Sequence, residues 1–147
     1  CFQDLKTLKI YLSTPSLDGI STSGKISVTS SDTFTAENFY LANSGVLNMN
    51  LPLNASELHA DFSGEIDVTL TGVAETAEYN ISGLGDIHAF NLATNNTEIT
   101  ISGDVLIETT VKDNLDITIS GSGVVHYKGS PSISQEISGN GMIVNKN

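Results

Sequence analysis

The chain contains no arginine, no tryptophan, three prolines and one cysteine, Cys1, and each scarcity closes off a class of protein. A single cysteine rules out an internal disulfide and supplies no cysteine-based metal cluster. No stretch approaches the roughly 20 apolar residues of a membrane-spanning helix, and no segment has the basic, apolar, small-residue order of a signal peptide. Six lysines stand against seventeen aspartates and glutamates, a formal charge of −11. Such a surface repels phosphate backbones and anionic lipids, which speaks against nucleic-acid partners. What remains is rich in Ser, Thr, Asn, Ile and Val, with 13 glycines. That composition suits strands joined by many tight turns, so an all-β class is expected. The 147 residues fit one domain, 1–147, able to bury a core without disulfide or metal.

A repeat decides the architecture. Ser-Gly recurs at Ser23-Gly24, Ser44-Gly45, Ser63-Gly64, Ser82-Gly83, Ser102-Gly103, Ser120-Gly121 and Ser138-Gly139, at spacings of 18 to 21 residues. A short alternating run follows each pair, such as Glu65-Ile66-Asp67-Val68, and another precedes most of them, such as Leu115-Asp116-Ile117-Thr118-Ile119. A period of two marks strands, and a fixed long period marks a stack of like units. The expected fold is a right-handed parallel β-helix, a β-solenoid of about seven coils, with a leading strand and cap over 1–22, Ser-Gly coils over 23–141 and a terminal strand over 142–147. Ile26, Leu47, Ile66, Ile87, Val105, Val125 and Ile143 are expected to form one buried column. The corners of three coils read as two residues longer, at Gly83-Leu84-Gly85, Gly121-Ser122-Gly123 and Gly139-Asn140-Gly141, and positive φ is the reason expected for glycine there. A sandwich of hairpins is the competing all-β arrangement, but it does not account for like residues recurring in register.

The run Ile119 to Pro131, followed by Ile137-Ser138-Gly139-Asn140-Gly141, resembles the closing repeats of the bacterial head GIN domain family of autotransporter adhesins. Leu8 to Gly24, with Pro15-Ser16-Leu17 ahead of Ser23-Gly24, resembles that family's approach to its first coil. The resemblance implies a right-handed β-helix on secreted or envelope proteins. Two departures are the lack of further strands ahead of the first coil, which points to a truncated or minimal member, and shorter corners such as Ser63-Gly64-Glu65.

Aligned coils place side chains in columns. Glu65, Asp86 and Asp104 are expected in one outward column, where clustered carboxylates would either be a solvated acidic face or recruit Ca²⁺, the one cofactor the sequence suggests. Asp67 and His88 are expected side by side as an ion pair, His126 two coils from His88 with Leu106 between, and His59 without a partner. Tyr40 and Phe90 are outward aromatics suited to glycan or protein contact, whereas Tyr127 points inward. No catalytic residues are assigned. Uronate lyases of this general shape need a basic residue near their calcium site, and all six lysines lie away from the expected acidic column; a hydrolase using that column is the alternative. The reading is therefore a non-enzymatic, extracytoplasmic module of the periplasm, outer membrane or cell surface, serving adhesion, glycan contact or scaffolding. Its partner would be a glycan or a surface protein. Two readings stand for Cys1: a thiol that carries a lipid anchor, or the first residue of a fragment.

Overall fold

A computed structural model describes Ile10, Tyr11, Thr14 and residues 17–147. Cys1, Lys6, Lys9 and the Pro15-Ser16 step lie outside the described residues. The ten strands are β1 (Gly19–Thr22), β2 (Lys25–Thr29), β3 (Phe34–Asn43), β4 (Val46–Phe62), β5 (Glu65–Ile81), β6 (Leu84–Ile101), β7 (Asp104–Ile119), β8 (Ser122–Lys128), β9 (Ser132–Ile137) and β10 (Asn140–Asn145). All belong to one sheet in which every pairing is parallel. Strands β4 to β7 are each a whole coil of 16 to 18 residues, β2 with β3 and β8 with β9 make the flanking coils, and β10 begins another. This is the expected parallel β-solenoid. Among the described residues no helix is long and apolar enough to cross a membrane.

Alternation explains how one strand can be a closed coil. In β5, Ile66, Val68 and Leu70 point inward, Glu75 and Thr76 both point outward, and Ala77, Tyr79 and Ile81 point inward again. Two consecutive outward residues turn the pleat over, so the chain bends around its own core. Ser56-Glu57, Asn95-Asn96 and the run Lys112-Asp113-Asn114 do the same in the neighbouring coils. Each coil thus has a first face just after its Ser-Gly corner, a bend, and a second face leading to the next corner.

The Ser-Gly glycines are needed for closeness. A Cβ on Gly64 would strike the carbonyl of Gly45, one on Gly83 that of Gly64, and one on Gly103 that of Gly83, and Gly121 and Gly139 continue the series. These same carbonyls carry the ladder through the corner, accepting from the amides of Glu65 (2.9 Å), Leu84 (3.0 Å) and Asp104 (3.1 Å) among others. Of the seven Ser-Gly glycines only Gly24, at φ 89°, has a left-handed backbone, and of the glycines in the three longer corners, where it is expected, only Gly85, at φ 131°, has it. Backbone contact between coils, and not φ, excludes a side chain at the other six Ser-Gly glycines.

The register within the first face also differs from expectation. Glu65 pairs with Leu84 and Leu84 with Asp104, while Ile66 pairs with Gly85 and Gly85 with Val105. The residues read as a lengthened corner are therefore the opening of the strand, with glycine at an inward position. Ile87 is buried but stacks between Val68 and Ile107, and Val125 and Ile143 follow in that second column. Counterparts of Gly85 at Gly123 and Gly141 leave room for isoleucines of the second face: a Cβ on Gly123 would meet Ile101, and one on Gly141 would meet Ile119 and Ile137. Coil β6 carries Phe90, Asn91 and Leu92 as extra residues where its register with β7 jumps from Ala89 to Ala93.

The core runs through β3 to β8, from Phe39 to Val125, and includes two fully buried hydroxyls, those of Tyr79 and Thr109, with no hydrogen-bond partner among the described residues. Burial pushes the Tyr79 phenol far above its ordinary pKa. An unpaired buried hydroxyl forfeits its hydration without return, so Tyr79→Phe is expected to raise stability by about 1 kcal/mol, and Thr109→Val to act in the same direction. Urea titration of both variants measures this, and a loss of stability in Tyr79→Phe would show that the hydroxyl holds a buried water.

Candidate functional site

Three outward regions carry chemistry, and the first is the first face of coils β5 to β8. Glu65 and Asp104 share a ladder, but Leu84 stands between them, so they are two coils apart, about 10 Å at the usual strand spacing. Asp86 lies in the neighbouring ladder, between Asp67 and Leu106. The expected three-carboxylate column therefore does not exist, because it assumed a corner lengthened by two residues. Among the described residues no group of three or more His, Cys, Asp or Glu side chains is placed to hold a metal ion.

Asp67 faces Asp86, not His88, and takes a hydrogen bond from Asn48 Nδ2 at 3.2 Å. His88 belongs to the next ladder, Thr69–His88–Glu108–His126, with Glu108 where Leu106 was expected. His88 Nδ1 lies 2.8 Å from a Glu108 carboxylate oxygen. That hydrogen bond, chiefly, raises the His88 pKa above the ordinary imidazole value; burial opposes it, and the charges of Glu108, Asp86 and Asp67 add to it. The folded state holds the proton more tightly, so this contact contributes in full below the unfolded histidine pKa, about 6.5, and fades as pH rises through the folded value. In an NMR titration His88 should titrate above the ordinary imidazole range and move down in Glu108→Gln. A midpoint unmoved by that substitution would remove Glu108 as the cause.

The second region is the second face, whose outward side is polar. Its central ladder reads Tyr40, His59, Glu78, Glu98, Asp116 and Ser134 on successive coils. Tyr40, 54% exposed, stacks on the His59 ring with centroids 5.0 Å apart and planes at 11°. His59, expected to stand alone, lies 3.0 Å from Glu78 through Nδ1 and 3.5 Å from Glu57 through Nε2. Asn80 Nδ2 donates to Glu78 at 2.8 Å and to Asp61 at 3.2 Å. The hydrogen bonds from Asn80 and His59 hold the Glu78 carboxyl below its ordinary pKa against a smaller desolvation effect. Its contribution to stability is thus present above the ordinary carboxylate value and lost as pH falls through the folded one. The ladder is legible in hindsight, since each member lies five positions before its corner glycine.

A groove crosses the bend between the two faces and forms the third region. It has a volume of about 580 Å³, a floor of small residues that includes Ala55, Ala74 and Ala93, and walls that include Val73, Thr110 and Lys112. Glu75 is the one carboxylate in its lining. Phe90, half-buried and outside this lining, has the Lys128 ammonium 4.2 Å above its ring. Of the aromatics expected to be outward, Tyr40 and Phe90 thus occupy different regions and make no common site. Tyr127 packs against the core as expected.

Comparison with known proteins agrees with this architecture. A family model described as "Putative auto-transporter adhesin, head GIN domain" matches residues 2–131. A crystal structure of a "putative adhesin" from Bacteroides fragilis NCTC 9343 is 33% identical with a TM-score of 0.86, over 90% of this chain and 62% of that one. A second "putative adhesin", from Parabacteroides distasonis ATCC 8503, is 30% identical with a TM-score of 0.78, over 87% of this chain and 55% of that one. A "putative lipid binding protein" from the same organism is 29% identical with a TM-score of 0.73, over 88% and 53%. The chain therefore spans less than two thirds of the length of these neighbours. No curated protein matches it.

Proposed function

The chain belongs to the head GIN domain family of auto-transporter adhesins, and from that premise we propose that it is a non-enzymatic contact module that works outside the cytoplasm and binds glycans or surface proteins through the outward faces of its solenoid. One observation supports this reading above the others. Carboxylates repeat along the outward ladders, with Glu98 and Asp116 exposed, while the groove at the bend is lined by a single carboxylate, Glu75, together with Lys112 and otherwise uncharged residues. A glycoside hydrolase, the alternative reading, needs two carboxylates facing each other across a bound sugar in a site that controls water. Rows of side chains repeating from coil to coil instead give broad, regularly spaced contacts, and the Tyr40–His59 stack offers a rigid aromatic surface at low entropic cost.

The test is glycan-array and intact-cell binding with reducing-sugar release followed in parallel. Binding without release, weakened by Tyr40→Ala, is the expected result. Catalytic release of sugar would overturn the non-enzymatic reading, and absence of binding to every glycan and surface tested would overturn the contact reading.

A further inference from the structure

We propose that the groove between the two faces is the binding site for a short anionic saccharide, held by a lysine cluster at the groove's C-terminal end. This inference deepens the contact-module reading and rests on it. The carrying observation is where the positive charge lies on a chain of net charge −11. Four lysines fall among the described residues, Lys25, Lys112, Lys128 and Lys146, and the last three lie on successive coils toward the C-terminal end. Lys112 lines the groove. Lys128 pairs in the ladder with Thr110, another lining residue, and immediately precedes Gly129, a third. The Lys146 amide donates to the Tyr127 carbonyl at 2.8 Å, which carries the ladder one step past Asn145 and sets Lys146 one coil below Lys128.

Among the described residues none of these ammonium groups is paired with a carboxylate. Every ion pair among the described residues involves a histidine, and the contact recorded for a lysine head group is Lys128 over the Phe90 ring. Stacked lysines repel each other by the same rule that sets stacked carboxylates apart, so an uncompensated pair at this spacing favours an anion between them. The corner that presents them is fixed: Asn147 accepts from the Gly129 amide at 2.8 Å and donates to the Gly129 carbonyl at 2.7 Å. Acidic residues border the groove as well, Glu75 at its opposite end and Asp113 beside Lys112, so complementarity is confined to the C-terminal end.

The rest of the lining selects the kind of anion. Ala55, Ala74, Ala93 and Val111 give a narrow apolar floor, and Asn95, Thr110 and Ser130 add amide and hydroxyl groups. A volume of about 580 Å³ lies within the range of small-ligand sites. An apolar strip bordered by hydroxyls, amides and cations matches the C–H face, hydroxyl rim and charged substituent of a uronic or sulfated sugar. A long polyanion fits poorly, because the acidic remainder of the surface repels every segment that extends past the lysines, whereas a short ligand feels chiefly the local charges once salt screens the rest over about 8 Å.

The test is calorimetric titration of the full chain at physiological salt with tetragalacturonate, a sulfated tetrasaccharide, a neutral tetraglucoside and anionic phospholipid vesicles. The expected result is saturable binding of one or both charged saccharides, at least tenfold tighter than the neutral one. That binding should fall at least tenfold in a Lys112→Gln, Lys128→Gln, Lys146→Gln triple variant, and likewise in Val73→Trp, which fills the groove while leaving every lysine in place. Lys25→Gln should change nothing, and circular-dichroism melts establish that each variant is folded. Four results overturn the proposal: no binding of either charged saccharide, binding that survives the triple variant in a folded protein, an equal loss in Lys25→Gln, or lysine-dependent binding of vesicles alone, which would assign the cluster to a lipid surface. Neutral-glycan binding that persists without charged-saccharide binding sinks this site and leaves the contact-module reading standing.

Discussion

Gly103→Val is expected to prevent folding, or to cost more than about 4 kcal/mol where folded protein can be recovered, the range reserved for backbone clashes and buried charges. The Cβ would point at the carbonyl of Gly83 and at the backbone of Ser82, and neither can withdraw without breaking the ladder bond from the Asp104 amide to Gly83. Because the clash is between backbones, it has no flexible side chain to absorb it, and it recurs at Gly64 and Gly121 in the same column. Gly24→Ala separates this cause from glycine's conformational freedom. Its added Cβ would meet nothing within 4 Å, but its φ of 89° is unfavourable for any other residue, so a loss of about 1–2 kcal/mol is expected. Urea denaturation compares them, with Ser102→Ala as a control close to neutral. A Gly103→Val protein as stable as the parent would mean that the coils are farther apart at the corner than described.

Ile87→Ala is expected to cost about 2–5 kcal/mol, since it removes a fully buried side chain from the middle of the stack, between Val68 and Ile107, where coils on both sides hold the backbone against collapse into the cavity. Leu106→Ala, one position before Ile107 and on the outward side, should stay within about 0.5 kcal/mol. Denaturation midpoints at constant slope measure both. Equal effects at the two positions would contradict the alternation on which the whole coil assignment rests.

The repeat made the fold legible, because Ser-Gly marks a fixed point in every coil and the runs around it alternate. The register was legible too, but only from the glycine. Matching coils by their isoleucines put Ile87 beneath Ile66 and, with it, Asp86 beneath Glu65, whereas counting from Gly64 and Gly83 pairs Glu65 with Leu84. Since the pleat has period two, a slip of two residues keeps every inward residue inward and leaves the core prediction intact while it reassigns each outward neighbour. That is why Leu47, Ile66, Ile87, Val105 and Val125 are buried as expected while the acidic column and the Asp67–His88 pair do not form; Ile26, 37% exposed, and Ile143, only partly buried, depart from the expected core, and His59 meets Glu78 because both lie five positions before their corner glycines. The groove had no sequence signal of comparable strength. Its floor depends on the bend, where Phe90-Asn91-Leu92 interrupts the count, and Lys112, which lines it, is followed by Lys128 and Lys146 on the next coils only through the winding of the chain.

The parallel ladder has a mechanical consequence for the proposed contact module. All the hydrogen bonds between coils point along the solenoid axis, so a pull that separates the two ends of the stack opens them a few at a time, from an end inward. Shearing two flat strands past each other would instead load many bonds at once. Each coil that peels away releases its 18 to 21 residues as slack, about 60–75 Å of contour at the extended length per residue. Stretched axially, the domain would lengthen in a staircase of nearly equal steps at modest force, each coil acting as one notch of a shock absorber, because each touches only its neighbours. Pulled across the axis by a ligand seated on one side, the same stack would resist as a block.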